Sequence, residues 1–335
     1  MGNHFIRTLF LLFLLCSVFQ GFSQTIHGIV LDNNTKKAIP YANVYFNGTY
    51  IGTSANESGE FYLTWKENNP RPITATSVGF YSMTLYDYQI DSMIFIWLEP
   101  KVYNIAAVII RADKMPESDR PDTMPRYKKE KIFREEFLGK DHNATRCRIV
   151  NMEDIILVYN DRNNSLSAYC DKPIIIENNA LKYRINYFLD QFTCSKDSAF
   201  MGGTYYFSEI PYSRTRLISD RRKTAYLGSR MHFIRSLWEN RLETEGFTMN
   251  IVDSCEIGYA KIVVESALHE KLLSQSKNII VCYPEKYQKS FLKFRKSYVV
   301  IEKSGYFDPH GLRWSGFMAS QRMAELLPFE YEVSE

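Results

Sequence analysis

From Gln24 to Ile110 the chain runs in short apolar–polar alternations, each closed by a turn signal. A period of two puts one face of each run inside and the other in water, and no segment with a helical period interrupts the series. "TIHGIVLD" (25–32) sets Ile26, Gly28 and Val30 on one face, and "PYANVYF" (40–46) sets Ala42, Val44 and Phe46 on one side. Asn47-Gly48 then gives a hairpin signal. "YIGTS", the turn "ANESG", "EFYL", "PITATSV", "YSMTLY", "SMIFIWLE" and "IAAVII" follow. Seven or eight short strands at this spacing predict a β-sandwich over 24–110, and the rest of the chain reads as α+β.

The first part also carries a resemblance. Gly28, Val30, Asp32, Thr35, Ile39, Pro40, Ala42, Val44, Gly52, Thr53, Gly59 and Phe61 stand where the carboxypeptidase-like regulatory domain has its pattern. That family is a transthyretin-like, immunoglobulin-like sandwich. The resemblance implies an exported protein of Bacteroidota, in which this module often precedes something larger, such as an outer-membrane barrel. The residues after 110 lack the repeated alternating segments of a barrel, which excludes a transporter.

Residues 1–23 read as a secretory signal: Arg7 is the positive n-region, Leu9–Phe19 the apolar h-region, and Gly21 and Ser23 the small residues before a cleavage at Gln24. Leu15 precedes Cys16 where a lipobox has Gly, Ala or Ser, which argues against lipidation. No later stretch is apolar for long enough to span a membrane as a helix. The location expected is the periplasm or the outer membrane. Export permits disulfides, but Cys147, Cys170, Cys194, Cys255 and Cys282 are odd in number. They lie in no C-x-x-C, and the expectation is buried small apolar residues. A formal charge of +3 is too small to suggest a nucleic-acid binder.

Residues 111–131, with three prolines and dense mixed charge, read as a linker. Beyond it, 132–335 reads as an α+β domain: an antiparallel sheet with a long buried helix. "KIFREEFLG" predicts a short helix. "DIILVY", "LSAYC", "PIIIEN", "LKYRINYFLDQF", "TYYFSEI", "GFTMNIV", "KIVVES", "NIIVCY" and "SYVVIEK" predict strands, and "MASQRMAELL" a final helix. "IIIENNALKYRINYFLDQF", "AYLGSRMHFIRSLWENRLETEGF" and "GYFDPHGLRWSGFMASQRMAELLPFEYE" resemble the C-terminal part of Bacteroidota proteins with the same sandwich. No activity comes with that resemblance.

Catalytic constellations are missing. None of His27, His142, His232, His269 and His310 is followed three residues later by an acid, so H-x-x-E fails, as does H-E-x-x-H. G-x-S-x-G is absent. Asp308, His310 and Ser315 fall together in "DPHGLRWSG", but a triad draws its members from separate segments, and this stretch reads as turn chemistry packed by Trp314. No metal or cofactor is expected. Tyr205, Tyr206, Trp65 and Trp97 are possible sugar platforms, yet aromatics are good strand residues and the stronger expectation is core.

A long helix is expected from about Asp220 to Leu242. Its helical projection puts Leu227, Met231, Ile234, Trp238 and Leu242 in one stripe, widened by Tyr226, Phe233 and Leu237. His232 falls opposite, with Arg235, Ser236, Glu239 and Glu243, as a solvated residue, and Arg235–Glu239 is an expected i,i+4 pair. Arg230 and Arg241 fall inside the apolar arc. Each must snorkel or meet a carboxylate, Glu177 being the candidate, or else forms an anion- or carboxylate-binding pocket. The function expected is a non-catalytic binding or scaffolding protein of the cell envelope, its partner an envelope protein or a glycan. The alternative is a peptide or glycan hydrolase with its site after residue 131.

Overall fold

The computed structural model describes residues 24–65, 71–101, 122, 124–196, 198–211, 215–251, 257–265 and 271–333. The leader reading, the strand "IAAVII" and Cys255 lie outside them. The chain divides into two units, Met1–Asn47 with Ile51–Lys101, and Gly48–Tyr50 with Val102–Glu335.

Seven strands build the first unit: β1 (Gln24–Asp32), β2 (Asn43–Phe46), β3 (Gly52–Ser54), β4 (Glu60–Trp65), β5 (Ile73–Thr76), β6 (Met83–Leu85) and β7 (Ile94–Leu98). They form two sheets, β4-β1-β7 and β3-β2-β5-β6, with only β1–β7 parallel among these pairs. Alternation does what the pattern requires. Ile26 and Val30 of β1, Phe61, Leu63 and Trp65 of β4, and Ile94, Ile96 and Leu98 of β7 point into one core with Val44, Phe46, Ile73 and Ala75 of the other sheet. Gly28 is required by close approach, because a Cβ there would stand 2.2 Å from the Ile94 carbonyl oxygen and 2.8 Å from the Phe61 ring.

The second unit opens with α1 (Arg126–Leu138). It begins inside the segment read as linker. Pro125 supplies a fixed φ just ahead of the first turn, and Arg126 and Glu130 pair at i,i+4 (2.7 Å), so the dense charge supports a helix here. Phe133 and Phe137 lie on its buried face. Next come β8 (Cys147–Ile149), β9 (Ile156–Asn160), β10 (Ser165–Tyr169), β11 (Ile174–Asn178), β12 (Tyr183–Cys194) and β13 (Ala199–Glu209). The sheet runs β8-β11-β12-β10-β9, and β13 pairs with β12. β12 holds β11 at Tyr183–Tyr187 and β10 at Phe192–Cys194, and its register with β13 shifts between Leu189 and Gln191. α1 closes this core with Phe133 and Phe137.

The expected long helix is two helices, α2 (Arg216–Tyr226) and α3 (Arg230–Trp238). Gly228 breaks it with φ +77°, and Ser229 caps α3 by accepting the His232 N–H at 3.0 Å. Asn240, with φ +55°, turns the chain out after Trp238. Then come β14 (Thr248–Ile251), β15 (Val263–Glu265), β16 (Lys271–Leu273), β17 (Ile279–Tyr283), β18 (Gln288–Phe294), β19 (Val299–Ile301) and β20 (Leu312–Gly316). They form the sheets β14-β17-β18-β20 and β15-β16-β19, and Phe233, Ile234 and Leu237 of α3 share a second core with both.

The expected final helix is only α4 (Phe317–Ser320) followed by a 3-10 turn at Met323–Glu325. Tertiary contacts override its helical period. The Met318 N–H donates to Ser290 Oγ (3.0 Å), and the Ala324 carbonyl accepts from buried Asn178 (2.8 Å). Residues 317–331 thus act as a strap, with Met318 in one core and Met323, Ala324 and Leu327 in the other.

Gly28→Ala is expected to destabilise the first unit by about 1–3 kcal/mol through overpacking. Hydrogen exchange of β1 amides in the full chain checks it, and unchanged exchange would contradict the close approach.

Candidate functional site

His232 is the first surprise of the α3 region. It is 2% exposed, not solvated. A single helical projection does not hold here, because Gly228 and Asn240 take the chain out of the helix at either end of α3. The segment after Asn240 folds back instead, and brings Phe247 against the imidazole (4.8 Å), with Tyr226 at 4.7 Å and Tyr283 at 5.8 Å. The Gly228 N–H donates to Nδ1 (3.1 Å), so Nε2 carries the proton and donates to Glu245 Oε2 (3.1 Å). Burial lowers its pKa, with Glu245 acting against that shift. Both ring nitrogens are used within the fold, and neither is free to move a substrate proton.

The arginines separate in the same way. Arg241 lies outside the apolar arc: its side chain is 57% exposed and ion-paired to Glu239 and, at 3.4 Å, to Glu245. Glu177 serves neither expected partner. It holds Arg148 and Arg184, each at 2.9 Å, and those bonds keep its carboxyl below the ordinary range. Arg230 is half-buried. Its backbone N–H donates to Gln321 Oε1 (3.1 Å) and its guanidinium to the Gln321 carbonyl (3.2 Å). It has no ion pair among the described residues, and burial first, then Arg322, pulls its pKa below the ordinary value. Arg235, expected to pair with Glu239, instead donates to the carbonyls of Ser304 (2.9 Å), Tyr331 (2.7 Å) and Phe329 (3.1 Å).

Asp308, His310 and Ser315 do not converge into a triad. Asp308 accepts from Lys296 Nζ (2.7 Å) and from the backbone N–H of His310 (2.9 Å), which is turn chemistry. The His310 ring makes no hydrogen bond among the described residues, and Ser315 sits exposed on β20 opposite Phe291. Trp314 packs on Phe233 and Phe307.

Sequence reasoning missed a carboxyl cluster at the end of α1. Glu325 of the strap accepts from Asn143 Nδ2 (2.7 Å), and burial together with Asp141 pushes its pKa up to about 7. Cys147 lies in the same surroundings, its thiol pushed up to about 12 by burial and by Asp141 and Glu325, which leaves it inert as a nucleophile. Beside them an open depression of about 460 Å³ is lined by Arg134, Glu135, Lys140, Asp141 and Thr145 among others, but not by Glu325. Cys147, Cys170, Cys194 and Cys282 are free thiols. No group of His, Cys, Asp and Glu among the described residues could hold a metal ion.

The second feature missed is on the first unit. The outer face of β4-β1-β7 carries Tyr62 (64% exposed), Phe95 (51%) and Trp97 (38%). The register sets His27 beside Tyr62, Ile29 beside Phe95 and Leu31 beside Trp97. His27 and Tyr62 stack with their rings 6.3 Å apart, and Lys36 Nζ stands 4.8 Å above the Trp97 ring. Phe95 and Trp97 are two residues apart on one strand, about 6.7 Å. Of the four aromatics considered as platforms, Trp97 alone is exposed. Trp65 is core, and Tyr205 and Tyr206 are half-buried, ring to ring with Tyr187 and Phe188.

Residues 26–109 match the family model of the CarboxypepD_reg-like domain. The chain carries that domain. No curated protein matches the chain. The regulatory-like domain holds the exposed aromatic sheet; the polar clusters described above belong to the second unit.

Two outcomes follow. Arg235→Met is expected to lower stability by about 2 kcal/mol, since three part-buried carbonyls lose a charged donor, whereas Arg241→Met changes it by about 0.5 kcal/mol or less. Urea unfolding of both variants checks this. The folded-state pKa of Glu325 lies above its ordinary 4.5. Its contribution is therefore full below 4.5 and is lost as pH rises through about 7. Glu325→Gln should abolish that loss. What remains should show the opposite slope of His232, whose lowered pKa costs stability as pH falls below its ordinary 6.5.

Proposed function

We propose that this is an exported, non-catalytic binding protein of the cell envelope, and that its regulatory-like domain engages a glycan through the outer face of β4-β1-β7. One observation carries the reading. A sheet whose inner face is fully packed also keeps Tyr62, Phe95 and Trp97 in water on its outer face, with His27 stacked beside them. Exposed contiguous aromatics of this kind mark interaction surfaces. Flat rings take the apolar C–H face of a sugar, and the hydroxyls of Thr25 and Thr64, 3.0 Å from each other, stand on the same face. The export reading of residues 1–23 supports the location.

A hydrolytic role has less behind it. His232 and Arg235 are committed to contacts within the fold, and Cys147 is held as a thiol. Asp308, His310 and Ser315 share a strand and a turn with no proton relay between them.

The test is co-sedimentation of the mature chain with purified cell-wall sacculi and with insoluble neutral polysaccharides. The triple variant Tyr62→Ala, Phe95→Ala, Trp97→Ala should lose binding at least about tenfold, as stacking is worth about 0.5–1.5 kcal/mol per ring, with an unchanged Tm. Equal binding by the variant, or hydrolytic turnover removed by a single side-chain change, would contradict the reading.

A further inference from the structure

We propose that the outer face of β14-β17-β18-β20 is a second binding surface, and that its ligand is an acidic polysaccharide. This goes beyond the aromatic sheet of the regulatory-like domain and does not depend on it. The inner face of the four strands packs on α3 through Met249, Ile279, Val281, Leu292 and Leu312. The alternate residues therefore face out: Lys289, Phe291 and Lys293 along β18, Arg313 and Ser315 beside them on β20, and Ile280 on β17. No outward position of the four strands carries a carboxylate.

The charges on this face are not neutralised. Lys289, Lys293 and Arg313 are exposed and have no ion-pair partner among the described residues. The register also sets Lys293 directly opposite Arg313, and like charges in that position destabilise a sheet. A local cost of this kind with no compensating contact in the fold marks a surface kept for a partner. Charge complementarity makes the partner anionic.

Spacing and shape select among anions. Alternate residues on a strand lie about 6.7 Å apart, so Lys289 and Lys293 stand about 13 Å apart with Phe291 between them. Lys289 Nζ lies 5.4 Å from the Phe291 ring centroid. A cation, a ring and a cation in line suit a linear chain of sugar rings bearing repeated acidic groups, one ring stacked on Phe291 and its hydroxyls near Ser315. A lipid surface calls for several apolar groups that penetrate it, and Phe291 is the one large apolar side chain exposed among these outward positions. A nucleic acid calls for a strongly basic chain, and this one balances 41 basic against 38 acidic residues.

Affinity electrophoresis of the mature chain through gels containing polygalacturonate tests this, with dextran gels as the neutral reference. Polygalacturonate should retard the protein, less so as salt is added, and Lys293→Gln with Arg313→Gln should weaken that retardation at least about tenfold in affinity. The same double variant should melt no lower than the wild type, because a like-charge pair is removed; this separates lost binding from lost folding. The Tyr62, Phe95, Trp97 variant should be retarded as the wild type is. No retardation by polygalacturonate, equal retardation of the double variant, or tighter binding to phosphatidylglycerol vesicles or to oligothymidylate would overturn the proposal.

Discussion

The second unit depends on basic side chains that answer backbone carbonyls. Its strap, residues 317–331, and the turn at 302–306 are irregular, so several of their carbonyls have no ladder or helix N–H donating to them. Arg235 closes three at once, those of Ser304, Phe329 and Tyr331, while its guanidinium lies over the Tyr226 ring. Arg230 closes that of Gln321. The helix ends are treated alike: Lys286 donates to Thr224 and Leu227 at the end of α2, and Lys271 to Trp238 at the end of α3. A cation at a helix C-terminus satisfies orphan carbonyls and meets the negative end of the dipole together.

This constraint ties the His, Arg, Glu and Ser side chains around α3 into the fold. The His232 ring bridges Gly228 and Glu245, and Ser236 Oγ donates to the His232 carbonyl. Asp141 Oδ1 accepts the Ala144 N–H while its charge raises the pKa of Glu325. Two outer sheet faces among the described residues, one aromatic and one basic, keep rings and cations exposed to solvent.

How much was legible in the sequence follows from the range of the contacts. The sandwich was readable because its cores are filled by strict alternation, as in Ile26, Gly28 and Val30. β18 and β20 were missed because Lys289, Ser290, Lys293 and Arg313 make a strand look like polar loop, although Ser290 is buried and binds the Met318 N–H. His232 and Arg241 were misplaced for one reason. Gly228 and Asn240 adopt left-handed backbone at either end of α3, so a projection carried from Asp220 to Leu242 crosses two breaks. Gly228 is the signal that could have corrected the first. Glu325 could not be found locally, because its partners, Asp141 and Asn143, come from a turn far earlier in the chain.

The strap is an integral part of the second unit and not a tail laid over it, since it fills both cores and bonds to Asn178 and Ser290. Native-state hydrogen exchange on the full chain measures this directly, at the amides of Met318, Glu325, Leu326 and Tyr331. Protection equal to that of the β12 and β17 amides, with all lost in one global opening, is the result expected. Exchange of the strap amides at the low free energies of fraying ends, while β12 and β17 stay protected, would contradict it.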